Sequence, residues 1–140
     1  MRKVLFVLIL LLVPVKVCAL SAECAIVMDQ DSGRVLYSKN LSKQKLIAST
    51  TKIMSAMIAI EYGNLDGLVT VDEDVLKAYG SAIYIEVGEE LSLRELLYGL
   101  MLRSGNDAAI VIAKYVSGSM DNFVYLMNEK AKDLGMKDTI

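Results

Sequence analysis

Ser92-Leu93-Arg94-Glu95-Leu96-Leu97-Tyr98-Gly99-Leu100-Met101-Leu102-Arg103-Ser104-Gly105-Asn106-Asp107-Ala108-Ala109 is the stretch that decides the architecture. Ser92 with Glu95 three residues on is a capping box. Leu93, Leu96, Leu97, Leu100 and Met101 then give the i, i+3, i+4, i+7, i+8 stripe of an amphipathic helix. Ser104-Gly105-Asn106 interrupts it, and Ala109, Ile112, Ala113 and Val116 begin a second helix whose small residues allow close packing. A third helix is predicted over about Asp121 to Leu134, with Phe123, Leu126, Met127 and Leu134 inward and Gly135 as its stop. Upstream, Ile53, Met54, Met57, Ile58 and Ile60 cover most of a helical circumference between Ser49 and Tyr62, and Gly63 ends the run. A helix apolar on so many sides is expected at the centre of the domain.

The strand signals are shorter. Ala25-Ile26-Val27-Met28 and Val35-Leu36-Tyr37 flank Gln30-Asp31-Ser32-Gly33 and predict a hairpin. Leu41 to Leu46 is a lysine-rich loop. Val69-Thr70-Val71 and Ile83-Tyr84-Ile85 suggest two short extended pieces, and Glu86, Glu89 and Glu90 a solvated turn before the Ser92 cap. There is no internal repeat and no low-complexity stretch. A hairpin alone is marginal, and the sequence ends just after a helix at Lys137-Asp138-Thr139-Ile140, so further strands are expected beyond residue 140.

Composition limits the chemistry. The 140 residues include 15 Lys+Arg, 17 Asp+Glu, one Pro, two Cys and no His. Without an imidazole there is no Ser-His-Asp triad, no Cys-His dyad and no His-ligated zinc. The formal charge of -2 offers no cationic surface for phosphate backbones, and neither GxGxxG nor GxxxxGK[ST] occurs, so nucleic acid and dinucleotides are not the expected partners. Oxygen nucleophiles, carboxylates and amines remain, and no metal or cofactor is called for. The eight Met are expected as core filler.

Arg2 and Lys3 precede an apolar run from Val4 to Val15, with small residues at Cys18, Ala19, Ser21 and Ala22, which is the pattern of a secretory signal peptide over residues 1-19. Val17-x-Ala19 fits the cleavage rule, with Ala19-x-Ser21 and a cut after Ala22 as competitors; an uncleaved anchor is the alternative. Either way residues 20-140 are expected outside the cytoplasm as one globular domain. Cleavage removes Arg2, Lys3 and Lys16 but no acid, leaving 12 bases against 17 acids and a net charge of -5. Of the cysteines only Cys24 survives, so no intrachain disulfide forms, and Cys24 is expected to be inert.

A serine can be activated without histidine by an uncharged lysine amine, and Ser-x-x-Lys at a helix start puts both on one face, so that the amine reaches Oγ. The unpaired N-H groups of a helix N-terminus also help to bind a developing oxyanion. Ser49-Thr50-Thr51-Lys52 has this form. The pattern is cheap, since about 0.5 matches arise by chance in a chain of this length, and Ser42-Lys43-Gln44-Lys45 is a second copy, in the loop. By residues alone, Ser49 is either a nucleophile or an ordinary N-cap with a solvated lysine one turn on. Ser104-Gly105-Asn106 is equally open. It can present a hydroxyl and an amide to a cleft, or serve as a plain connection with Gly105 ending one helix and Asn106 capping the next. Ser38-Lys39-Asn40 matches Ser-x-Asn by letter as well.

Several motifs in order separate these alternatives. Ile47-Ala48-Ser49-Thr50-Thr51-Lys52-Ile53-Met54, Gly88-Glu89, Leu96-Leu97-Tyr98-Gly99-Leu100-Met101 and Ser104-Gly105-Asn106-Asp107-Ala108-Ala109 together resemble serine-type D-alanyl-D-alanine carboxypeptidases, the low-molecular-mass penicillin-binding proteins. The resemblance continues through Phe123, Met127-Asn128, Lys130-Ala131 and Leu134-Gly135-Met136. It implies a β-lactamase/transpeptidase-like α/β sandwich, in which an antiparallel sheet backs a helical subdomain with the site between them, and residues 20-140 as the N-terminal part of that catalytic domain. It also implies roles: Ser49 as acyl-ester nucleophile, Lys52 as its base, Ser104 as proton relay to the leaving D-alanine and Asn106 as holder of a substrate amide. The implied substrate is a peptidoglycan pentapeptide ending in D-Ala-D-Ala, with β-lactams as covalent inhibitors and membrane association only through an uncleaved leader or a C-terminal anchor.

Two departures from the pattern matter. Gly105 stands where class A β-lactamases have Asp, which favours a carboxypeptidase. No Lys-Thr/Ser-Gly occurs in the 140 residues, although in the family that strand binds the substrate carboxylate and supplies part of the oxyanion hole. Loss of one oxyanion donor costs roughly 100- to 1000-fold, so residues 20-140 alone are expected to turn over weakly or not at all. The competing functions are a non-catalytic exported module that holds muropeptide and a serine β-lactamase.

Overall fold

A computed structural model describes residues 20–139, and the chain forms two compact units that divide between Lys45 and Leu46. The predicted leader at residues 1-19 lies outside the described residues.

In the first unit β1 (Ala25–Met28) pairs antiparallel with β2 (Val35–Lys39), Ala25 opposite Lys39 and Val27 opposite Tyr37, with an irregularity between Val27 and Met28. The turn is set by Asp29, whose carboxylate accepts the Ser32 N–H at 2.9 Å and whose carbonyl accepts the Gly33 N–H at 2.9 Å. Bonds from the Ser32 hydroxyl and N–H hold the Asp29 carboxyl below its usual range. Gly33 sits at φ 68, where a side chain would be strained. The lysine-rich segment after β2 is irregular, as expected, and is tied down by Lys43 and Lys45, which both pair with Glu23.

The second unit is helical. After a 3-10 turn (Ala48–Thr50) come α1 (Thr51–Tyr62), α2 (Leu93–Arg103), α3 (Asn106–Ser117) and α4 (Met120–Asp133). The Ser92 capping box forms completely: the Ser92 hydroxyl accepts the Glu95 N–H at 3.2 Å, and the Glu95 carboxylate accepts the Ser92 N–H at 2.8 Å. Leu93, Leu96 and Leu100 on α2, Ile58 on α1 and Ile112 on α3 are fully buried and form the core with Val71, Val75 and Phe123. Helix α3 packs on α1, α2 and α4, which its small residues Ala108 and Ala113 permit. No described helix is long and apolar enough to cross a membrane.

Four details correct the sequence expectations. Helix α1 is buried on one face only, through Ser55, Ala56, Ile58 and Ala59, while Ile53, Met57 and Ile60 are exposed. The small residues determine which side can approach α2 and α3 closely. Leu134 is the C-cap of α4 and is exposed, whereas Phe123 is buried and Leu126 and Met127 pack against the core as expected, with Ala131 buried beside them. Among the described methionines only Met127 packs against the core, and it is partly buried; Met28, Met57, Met101, Met120 and Met136 are exposed and Met54 is partly covered. Finally, β3 (Leu68–Thr70) pairs with β4 (Glu90–Ser92), in the segment read as a solvated turn, and Ile83-Tyr84-Ile85, expected as an extended piece, is not a strand. The ladder runs on through Val71, whose N–H reaches the Glu89 carbonyl at 2.9 Å and whose carbonyl accepts the Gly88 N–H at 2.8 Å. Tyr84 stands at φ 63, outside extended geometry, because the amides on either side of it bond elsewhere.

A 3-10 segment (Glu73–Lys77) is joined to α3 by Lys114, which pairs with both Asp72 and Asp74. The Lys114 hydrogen bond, with Lys77 adding to it, draws the Asp74 carboxyl down to about 2, and Asp72 is lowered by the same lysine.

Candidate active site

The turn that carries Ser49 is an unusual helix start. Ala48 has φ 48, a left-handed conformation for a residue with a side chain, and Thr50 donates from Oγ1 to the Ile47 carbonyl at 2.6 Å. Neither the 3-10 turn nor α1 receives a side-chain cap bond. Ser49 is therefore not an N-cap, and its exposed hydroxyl is free for another use. Its Oγ accepts a hydrogen bond from Ser104 Oγ at 2.9 Å.

Lys52 lies one turn on, half-buried. Its Nζ donates to the Ser104 carbonyl at 2.6 Å, to Ser104 Oγ at 2.9 Å and to Asn106 Oδ1 at 2.6 Å. The amine thus reaches Ser49 through Ser104 Oγ and not directly, a rearrangement of the contact expected from the shared helix face. Ser104 stands between them because it, and not Gly105, takes the left-handed conformation at the end of α2, with φ 57 and ψ 33.

Gly105 is then the extended N-cap of α3 and Asn106 its first residue, one position off the connection read from sequence. Gly105 is needed for space: a Cβ there would lie 2.8 Å from Asp107 Oδ1 and 3.3 Å from Ile83. Asn106 donates its own N–H to the Ser81 carbonyl at 2.7 Å and its Nδ2 to the Tyr79 carbonyl at 2.5 Å. Ser49, Lys52, Ser104 and Asn106, distant in sequence, are therefore one hydrogen-bonded chain. The decoys are not. Lys43 and Lys45 pair with Glu23, Lys39 donates to the Ala22 carbonyl at 2.7 Å, and Asn40 donates to the Glu23 carbonyl at 2.7 Å. Among the described residues no three His, Cys, Asp or Glu gather as a metal site.

Asp107 carries no signal of its own in the sequence beyond its place after Asn106. It is 3% exposed and accepts backbone N–H bonds from Ile83, Ile85 and Ala108.

The family model described as D-alanyl-D-alanine carboxypeptidase, Peptidase_S11, matches residues 13–140. The chain belongs to this family. It is 40% identical over 123 residues to D-alanyl-D-alanine carboxypeptidase DacF of Bacillus subtilis, which covers 84% of this chain and 32% of that relative. Among solved structures, D-alanyl-D-alanine carboxypeptidase DacD from Francisella tularensis superposes with a TM-score of 0.79 at 35% identity, over 86% of this chain and 30% of that one. Penicillin binding protein 5 from Haemophilus influenzae gives 0.77 at 29% identity, over 84% of this chain and 37% of that one. These structures agree with the mixed α/β class, and this family member spans about a third of the length of the curated relatives it matches.

Proposed function

We propose that this chain carries the nucleophile and base of a serine-type D-alanyl-D-alanine carboxypeptidase that acts on peptidoglycan stem peptides outside the cytoplasm and is acylated by β-lactams. The observation that carries the proposal is the chain Ser49 Oγ, Ser104 Oγ, Lys52 Nζ, Asn106 Oδ1. Two acceptors, the Ser104 carbonyl and Asn106 Oδ1, take two N–H groups of Lys52. The remaining tetrahedral position faces Ser104 Oγ, and in the free amine that position is a lone pair. With its hydroxyl turned, Ser49 passes its proton to Ser104 Oγ while Ser104 passes its own to Lys52.

Ser49 Oγ then attacks the carbonyl of the penultimate D-alanine, the C–N bond to the terminal D-alanine breaks, and that amine takes a proton back through Ser104. Water next hydrolyses the ester, with the proton following the same path. A β-lactam opens on Ser49 in the first half of this sequence and remains as an ester. The family resemblance supports these roles for Ser49, Lys52 and Ser104. Asn106 is given the further role of meeting a substrate amide with the second N–H of its Nδ2, the first being held by the Tyr79 carbonyl. Release of D-alanine from a pentapeptide by the protein expressed from its complete reading frame, abolished in Ser49→Ala, is the expected result. Reversible muropeptide binding with no release would favour a non-catalytic module.

A further inference from the structure

Asp107 takes no part in the proton path, yet its carboxylate is buried, a costly placement unless its oxygens are hydrogen-bonded. They are bonded by backbone alone. Ile83 N–H lies 3.1 Å from Oδ1 and 3.0 Å from Oδ2, Ile85 N–H lies 3.2 Å from Oδ2, and Ala108 N–H lies 2.9 Å from Oδ1. Ile83 and Ile85 flank Tyr84, whose φ of 63 is a conformation that bulky residues rarely adopt. Such geometry persists where the surroundings over-determine it, and here one carboxylate holds the amide on each side.

The residue before it grips the same loop. Asn106 bonds the Tyr79 and Ser81 carbonyls and, through Oδ1, Lys52. An amide can turn end for end, and only its nitrogen end can donate to a carbonyl. The Tyr79 carbonyl therefore keeps Nδ2 on the loop side and Oδ1 on the Lys52 side.

We propose that Asp107 is a positioning residue for acylation of Ser49: by fixing residues 79–85 it keeps the Tyr79 carbonyl where it holds the Asn106 amide with its oxygen on Lys52. This rests on the acyl-transfer reading above. Asp107→Asn keeps the shape but turns one acceptor into a donor facing a backbone N–H, so the clamp opens. Gly80→Ala strains the same loop with Asp107 intact, since Gly80 has φ +85 and a Cβ there would lie 3.2 Å from Asn106 Nδ2.

The test uses fluorescent penicillin and the protein expressed from its complete reading frame. Saturating acylation rate, half-saturating concentration, thermal midpoint and amide exchange at Ile83 and Ile85 are measured for wild type, both variants and Ser92→Ala, a helix-cap control. Asp107→Asn is expected to speed exchange at Ile83 and Ile85. Both loop variants are expected to lower the saturating rate by about 10- to 100-fold, the cost of a misplaced catalytic group, with half-saturation little changed. Ser92→Ala is expected to lower the thermal midpoint and leave the rate as in wild type. Unchanged exchange in Asp107→Asn, or a wild-type rate in either loop variant, overturns the positioning role while leaving the acyl-transfer reading in place. Failure of wild type to be acylated at Ser49 overturns both, and is recognisable because it appears before any variant is made. Should Asp107→Asn not fold, Gly80→Ala alone decides.

Discussion

Ser42-Lys43-Gln44-Lys45 and Ser49-Thr50-Thr51-Lys52 spell the same pattern seven residues apart and have opposite fates. In the first, Lys45 shares Glu23 with Lys43 on the surface, and those two lysines hold the Glu23 carboxyl below its usual range. In the second, Lys52 is turned inward onto Ser104 and Asn106, which in turn meet Ser49 and the loop at Tyr79. Local backbone makes the difference. An amphipathic helix after Ser49 gives its lysine a fixed direction, and a left-handed residue between two packed helices supplies the acceptor. A lysine in an irregular segment pairs with the nearest acid.

The contrast can be broken by substitution. Ser49→Ala should abolish covalent labelling by fluorescent penicillin, and Ser42→Ala should leave it intact, read on a denaturing gel. Lys52→Ala should slow acylation by about 10²- to 10⁴-fold, the usual worth of a positioned base, whereas Lys45→Ala should leave the rate unchanged in stopped-time labelling. Gly105→Ala, forced against Asp107 in a buried corner, should cost about 1–3 kcal/mol in urea denaturation. Gly33→Ala, with open space around it, should cost only the left-handed backbone penalty of about 1–2 kcal/mol.

The smallest effect expected is on pH dependence. Asp72 and Asp74 are depressed by Lys114, so their contribution is present above the ordinary carboxylate range and lost as pH falls through their folded values, toward about 2 for Asp74. Lys114 is raised by Asp72 and Asp74, so its contribution is present below the ordinary lysine value and lost as pH rises through the folded one. Thermal midpoints of wild type and Lys114→Gln should therefore differ at neutral pH and converge at both extremes.

Helix content was legible because periodicity and a capping box are local. Ser92 with Glu95 and the Leu93, Leu96, Leu100 stripe needed no tertiary knowledge. The two-stranded hairpin was legible for the same reason. Partners set by distant residues were not: nothing in Ile83-Tyr84-Ile85 shows that Asp107 will take its amides, which is why a β-prone run there is not a strand. The sidedness of α1 was missed because apolar letters mark where burial is favourable, while Ala56 and Ala59 mark where it is sterically possible. At the site, pattern and resemblance point to Ser49, Lys52, Ser104 and Asn106, but the place of Ser104 between Lys52 and Ser49 depends on its left-handed backbone, which a serine does not announce. Asp107 was invisible as a clamp, since an acid in the first turn of a helix has an ordinary explanation in the helix dipole.

The central claim is tested most directly by digesting the penicillin-treated protein, expressed from its complete reading frame, and locating the adduct by mass spectrometry. A single acyl ester on Ser49, lost in Lys52→Ala under the same exposure, is the predicted result. An adduct on Ser42 or another side chain, or none on Ser49 after prolonged exposure, would contradict it.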